Sequence, residues 1–141
     1  MTDGHYIRVL FVCTGNTCRS VLAEYIARDV FGDAASFESA GIKPQQAADA
    51  ENAVYTLRAN FNIDASQHVP RDVRLLDLNQ FSLIIALENH VARVLKGLGV
   101  DASRTKTWQI KDPYGSDLTE YDQACIQLKK KILWLKDSIE Q

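Results

Sequence analysis

The sequence predicts an α/β fold: a doubly wound, four-stranded parallel sheet with helices on both faces. Two apolar runs, Ile7–Val12 (continuous after Arg8) and Leu83–Leu87, read as strands buried on both sides rather than alternating, half-exposed ones. Segments with apolar residues at helical spacing lie between the predicted strands. This strand–helix alternation demands crossover connections and therefore parallel pairing.

The first strand stops at Val12, and a helix follows from about Ser20 to Phe31, with Leu22, Tyr25, Ile26 and Val30 on one face. Gly32 ends it. Phe37 to Ala40 is a short strand ending at Gly41, and Ala50, Ala53, Val54, Leu57 and Phe61 mark a second helix. After the Leu83–Leu87 strand come Val91, Val94, Leu95 and Leu98 as the stripe of a third helix, closed by Gly97 and Gly99. Lys106 to Trp108 forms a last strand, and Tyr121, Cys125, Leu128, Ile132, Leu135 and Ile139 run as one stripe down a final helix.

At 141 residues the chain is expected to be one domain, residues 1–141, large enough for its own core. A net charge of −2 and a pI near 5.9 give no footprint for nucleic acid, and Lys129-Lys130-Lys131 reads as a solvated helix face. The N-terminus lacks a cationic leader and no run is long enough for a membrane span, so neither a signal peptide nor a membrane partner is expected. Three cysteines without framework spacing suit a reducing cytoplasm.

Chemistry concentrates in Cys13-Thr14-Gly15-Asn16-Thr17-Cys18-Arg19-Ser20, between the first strand and the first helix. Taken singly, a cysteine ending a buried strand is an ordinary small core residue, and Gly-Asn is an ordinary turn. Strand, Cys-x5-Arg-Ser and helix together build something else. Successive loop N–H groups feeding a helix N-terminus cradle an anion, while the helix dipole and Arg19 favour thiolate at Cys13. Arg19 adds a planar fork for two oxygen atoms. The loop has neither the Gly-Lys-Ser/Thr ending of nucleotide phosphate loops nor the third glycine of a dinucleotide fold. Phosphoryl transfer through a phosphocysteine is the chemistry this set fits. It needs a proton donor for the leaving group, and Asp112 in Lys111-Asp112-Pro113-Tyr114-Gly115 is the candidate. Pro113 biases Asp112 toward extended backbone, and Tyr114 offers an aromatic wall for a flat substrate.

Together these residues resemble the low-molecular-weight protein tyrosine phosphatase family, including its arginine-phosphatase branch. The likeness runs from Val12–Ser20 through Ala23-Glu24 and Ser39-Ala40-Gly41 to Asp112-Pro113-Tyr114-Gly115. It implies a flavodoxin-like architecture, Cys13 as nucleophile, Arg19 as phosphate clamp and Asp112 as general acid and then base. It also implies a phosphate loop of Thr14, Gly15, Asn16, Thr17, Cys18 and Arg19. No metal or organic cofactor is implied, and the partner is a phosphorylated protein. Ser20 resembles the hydroxyl that steadies the thiolate, and Ser39 and His68 resemble residues supporting Asn16. His68 also fits an exposed loop histidine, and His5 and His90 match nothing. Cys18 resembles the neighbour that traps an oxidised nucleophile as a disulfide, or a small thiol packed beneath the loop; Cys125 reads as core.

The chain departs from the pattern at Val21, Leu22 and Ser82, where proline, methionine and aspartate are usual. Ile42–Ala47 lacks the aromatic residue many members place beside the substrate ring. Thr17 stands where tyrosine-specific members carry a bulky aliphatic, and the string Cys-Thr-Gly-Asn-Thr-Cys-Arg-Ser resembles the arginine phosphatases. Phosphotyrosine is the expected substrate and phosphoarginine the alternative. A thiol-coupled arsenate reductase shares the loop but needs resolving cysteines, and none lies between Cys18 and Cys125. A phosphocysteine carrier needs neither Arg19 nor Asp112, and a binding module without catalysis would not need all three residues.

Overall fold

A computed structural model describes residues 7–113 and 115–139. Its elements alternate as predicted: β1 (Ile7–Cys13), α1 (Arg19–Phe31), β2 (Ala35–Gly41), α2 (Glu51–Phe61), β3 (Leu83–Ala86), α3 (Asn89–Gly97), β4 (Thr105–Thr107) and α4 (Leu118–Ile139). The four strands form one parallel sheet in the order β2-β1-β3-β4. The order reverses beside β1, the switch point where open α/β sheets bind ligands.

The pleat of β1 divides the interior in two. Val9 and Phe11 face a core built with α1, α2 and α4, where Phe11 stacks on Phe37 at 6.0 Å. Leu10 and Val12 face the opposite core, with Val91 and Leu95 of α3 and the turns carrying Val73 and Phe81. All four β1 residues are fully buried, which is why this strand shows no polar alternation. Three helices therefore cover one face and α3 the other.

Boundaries moved by a residue or two. β1 extends to Cys13, which pairs with Gly41, and β4 begins at Thr105 rather than Lys106. Trp108 N–H still bonds the carbonyl of Ala86 at 2.8 Å, so the ladder continues past the formal strand. Leu98, expected on the α3 stripe, is 40% exposed because the helix ends at Gly97. Gly99 then turns the chain at φ 89°, and Val100 enters the core in its place. On α4, Ile139 is 36% exposed while the rest of its predicted stripe is buried. Among the described residues, no helix is long and apolar enough to cross a membrane.

Candidate active site

β1 delivers Cys13 to the carboxyl edge of the sheet, and the chain from Thr14 to Cys18 curls back to begin α1 at Arg19. Cys18 occupies the N-cap position of α1 without a capping hydrogen bond from its side chain. The first-turn N–H groups thus stay available to an anion. Behind the loop, the stretch after β2 continues the pairing: Ile42 N–H bonds Cys13 O (3.1 Å), Lys43 N–H bonds Thr14 O (2.8 Å) and Gln45 N–H bonds Gly15 O (3.0 Å). Gly41 is required by this packing, since a Cβ there would lie 2.6 Å from the carbonyl oxygen of Thr14.

Asn16 is the hub. It is fully buried in the left-handed conformation (φ 57°), which asparagine tolerates better than most residues. Its Nδ2 donates to Ser20 Oγ (2.8 Å) and Ser39 Oγ (2.9 Å), while its Oδ1 accepts from Arg71 N–H (2.9 Å). Its carbonyl lies 2.9 Å from His68 Nε2. Every polar atom of the side chain is engaged, which a buried amide demands. The donor direction matters further on. Ser20 Oγ accepts from Asn16, so its own proton is free to point to Cys13 Sγ, 2.9 Å away. Ser39 Oγ donates its hydrogen bond to the buried Glu24 Oε1. Burial raises the Glu24 carboxyl above its ordinary range, opposed by that hydrogen bond and by Arg28, His68 and Arg71.

Arg19 is 3% exposed and held from three sides. Nη1 donates to the carbonyls of Leu87 (3.4 Å) and Ile110 (3.2 Å), and Nη2 donates to Glu88 Oε2 (2.7 Å). Asp112 Oδ2 lies 3.5 Å from Nη2, with half of the Asp112 side chain exposed at the cleft mouth. Nε is buried with no hydrogen-bond partner among the described residues. Glu88 also accepts from Thr14 Oγ1 at 3.2 Å. Partial burial resists ionisation of Glu88, but the hydrogen bond and charge of Arg19, helped by Thr14, hold its carboxyl below the ordinary range.

The resulting cleft of about 300 Å³ is lined by Cys13, Thr17, Arg19, Lys43, Gln45 and Asp112, among others. Thr17 Oγ1 donates to Gln45 Oε1 at 2.5 Å. Cys18 Sγ sits 3.3 Å from the Tyr121 hydroxyl of α4. Burial pushes the Cys18 thiol up to about 11, the Tyr121 hydrogen bond only partly opposing it. Cys125 lies in the α1–α2–α4 core.

The predicted residues Cys13, Thr14, Gly15, Thr17, Cys18, Arg19 and Asp112 therefore share one cleft, with Asn16, Ser20, Ser39 and His68 bonded behind it. His90 is exposed, as expected, whereas Tyr114 and His5 lie outside the described residues. The sequence reading missed Glu88, the charged partner of Arg19, and gave Glu24, Arg71, Gln45 and Tyr121 no part in the site. Glu88 follows the carboxyl end of β3, next to the switch point, and that position was its one available signal. Among the described residues no His, Cys, Asp and Glu cluster is arranged to hold a metal ion.

A parallel sheet whose central strand ends on a cysteine, in an anion cradle closed by a buried arginine, defines a class of thiol-bearing oxyanion-site proteins. Within it, the chain belongs to the low molecular weight phosphotyrosine protein phosphatase family, whose sequence profile matches residues 8–141. It is similar to a low molecular weight protein tyrosine phosphatase from T. tengcongensis, 32% identical, covering 94% of this chain and 99% of that one with a TM-score of 0.85. An arsenate reductase of Bacillus cereus (strain 03BB102) is 27% identical over 124 residues, 88% of this chain and 90% of its own. The structure of a YwlE arginine phosphatase shares the fold, with a TM-score of 0.84 at 22% identity over 96% of this chain and 97% of that one.

Proposed function

We propose that this protein is a cytoplasmic protein-tyrosine phosphatase working through a phosphocysteine intermediate on Cys13. The observation that carries the reading is the convergence of Cys13, Arg19 and Asp112 on one cleft, with Ser20 Oγ 2.9 Å from the sulfur. The Cys13 thiolate attacks phosphorus while Arg19 and the loop N–H groups of residues 14–19 hold the equatorial oxygens. The bond to the leaving oxygen breaks as Asp112 gives that oxygen its proton. Water then attacks the phosphocysteine, Asp112 takes a proton from it, and inorganic phosphate and the Cys13 thiolate are released. Nothing in this cycle needs a metal or an organic cofactor. Tyr114 is the proposed wall for the aromatic ring.

A second reading, protein-arginine phosphatase, is favoured by one contact. Gln45 Oε1 accepts the hydrogen bond of the Thr17 hydroxyl, leaving the lone pairs of Thr17 Oγ1 to accept from a donor in the cleft. A phosphoguanidinium carries N–H donors at the scissile bond, whereas the bridging oxygen of phosphotyrosine has none. Arsenate reduction by an internal thiol relay is unsupported, because Cys18 is held as a thiol and Cys125 is packed in the core.

The test is hydrolysis of matched phosphotyrosine and phosphoarginine peptides by wild type, Cys13→Ser and Thr17→Ile. Preference for phosphotyrosine, unchanged in Thr17→Ile, supports the first reading. Preference for phosphoarginine, reversed in Thr17→Ile, supports the second. Turnover surviving in Cys13→Ser would remove the nucleophile from both.

A further inference from the structure

A second cavity is larger than the cleft. It lies between the edge strand β4 and the middle of α4, holds about 630 Å³ and is lined by Lys106, Trp108, Gln127, Lys130, Lys131 and Trp134. Trp134 is 55% exposed, an unusual place for so large an apolar surface. Lys106 Nζ sits 5.5 Å from the Trp134 ring centre, and Lys131 Nζ sits 6.0 Å from that of Trp108. These cation–π contacts line the groove walls with ammonium groups. Among the described residues no carboxylate lines it, although the chain as a whole carries a net charge of −2.

We propose that this groove docks an acidic, partly apolar segment of the protein substrate; the inference rests on the phosphoprotein-phosphatase reading. Charge complementarity selects the occupant: three lysines call for carboxylates, and the tryptophan face calls for an apolar side chain between them. A nucleic acid would meet the same lysines, but the net negative charge of the protein disfavours so long a polyanion. Geometry sets the spacing. Trp108 is four residues upstream of Asp112, about 13 Å of extended chain. A substrate with its phosphorylated residue in the cleft therefore covers that stretch in about four residues and lies along the groove over the next few.

Trp108 and Trp134 are the only two tryptophans, and Trp108 is buried, so intrinsic fluorescence reports on the groove. Titration with an unphosphorylated Glu-Val-Glu-Phe-Glu-Val-Glu peptide should shift emission to the blue, and Trp134→Phe should abolish the shift. In kinetics, a phosphotyrosine peptide with that acidic segment six residues from the phosphate should show a KM about tenfold below that of its Lys-for-Glu counterpart. That gain is the size expected of a few exposed ion pairs, and it should shrink in high salt. Lys130→Glu with Lys131→Glu should erase it while leaving hydrolysis of para-nitrophenyl phosphate unchanged, which also certifies the fold. Equal KM values for the two peptides would overturn the proposal, as would a gain that survives in the double variant. So would tighter binding of an oligothymidylate, or self-association with no response to the acidic peptide. If para-nitrophenyl phosphate is not hydrolysed at all, the phosphatase reading fails, and the fluorescence arm still decides the groove by itself.

Discussion

Replacing Asn16 tests whether the buried network holds the loop. Asn16→Ala removes two donated hydrogen bonds, to Ser20 and Ser39, and one accepted from Arg71 N–H. At ~1 kcal/mol net for each, these contribute ~3 kcal/mol. Alanine must also adopt the left-handed conformation found at φ 57°, costing a further ~1 kcal/mol. The expected loss is ~4 kcal/mol, a large share of the ~5–15 kcal/mol that keeps a domain folded. Urea unfolding followed by circular dichroism measures it directly. Asn16→Gly is the control, since it loses the same bonds without the steric cost and should recover up to ~1 kcal/mol. Crossing Asn16→Ala with Ser39→Ala should reveal a coupling of ~1 kcal/mol, because the two side chains share a bond. Turnover should fall further than stability explains, because Ser20 loses the donor that aims its proton at Cys13. A loss below ~1 kcal/mol in Asn16→Ala would refute the reasoning and leave loop shape to backbone pairing with residues 42–45.

Asp112→Ala should slow hydrolysis of aryl phosphates with poor leaving groups far more than activated ones; equal losses across the series would deny Asp112 the acid role. Gln45→Met should lower the phosphoarginine-to-phosphotyrosine rate ratio several-fold and Gln45→Glu should restore it, if Thr17 needs an acceptor to fix its proton. Iodoacetamide at pH 7.5 should label one thiol and phosphate should protect it: Cys18 and Cys125, raised to about 11 and about 12, are less than ~0.1% thiolate there, and mass spectrometry locates the adduct. Glu88, whose carboxyl lies below its ordinary value near 4.5, stabilises the fold above that pH and loses the contribution as pH falls through its folded value. Glu88→Gln should therefore cost about 1 kcal/mol at neutral pH, and that cost should shrink as the pH falls below 4.5, as thermal unfolding across pH would register.

The architecture was legible because its signals are local. Val9 to Val12 are apolar in unbroken succession because β1 is covered on both faces, and Gly32 stops α1 with a positive φ that the sequence can announce. Cys13 and Arg19 were legible for the same reason, as they lie on one loop. Glu88 was not: its link to Arg19 spans 69 residues and exists only after β3 pairs with β1. Leu98 misled because it keeps the helical spacing of the apolar stripe although it follows Gly97, where the helix closes as expected. Lys130 and Lys131 resemble any solvated helix face until β4 and Trp134 bring walls around them.

Arg19 is held in place before any ligand arrives. Two backbone carbonyls and Glu88 fix the guanidinium plane, so the arginine spends little freedom when an anion arrives. On the phosphatase reading, Nε, buried and without a partner among the described residues, would gain from a bound oxyanion the hydrogen bond it lacks. Glu88 and Asp112 beside it oppose a dianion by charge, so the cradle must supply compensating dipoles from its N–H groups. Those dipoles align only while Asn16 holds its left-handed turn. If the loop binds phosphate as proposed, its stability and its affinity rest on one network, and substitutions at Asn16 should move both together.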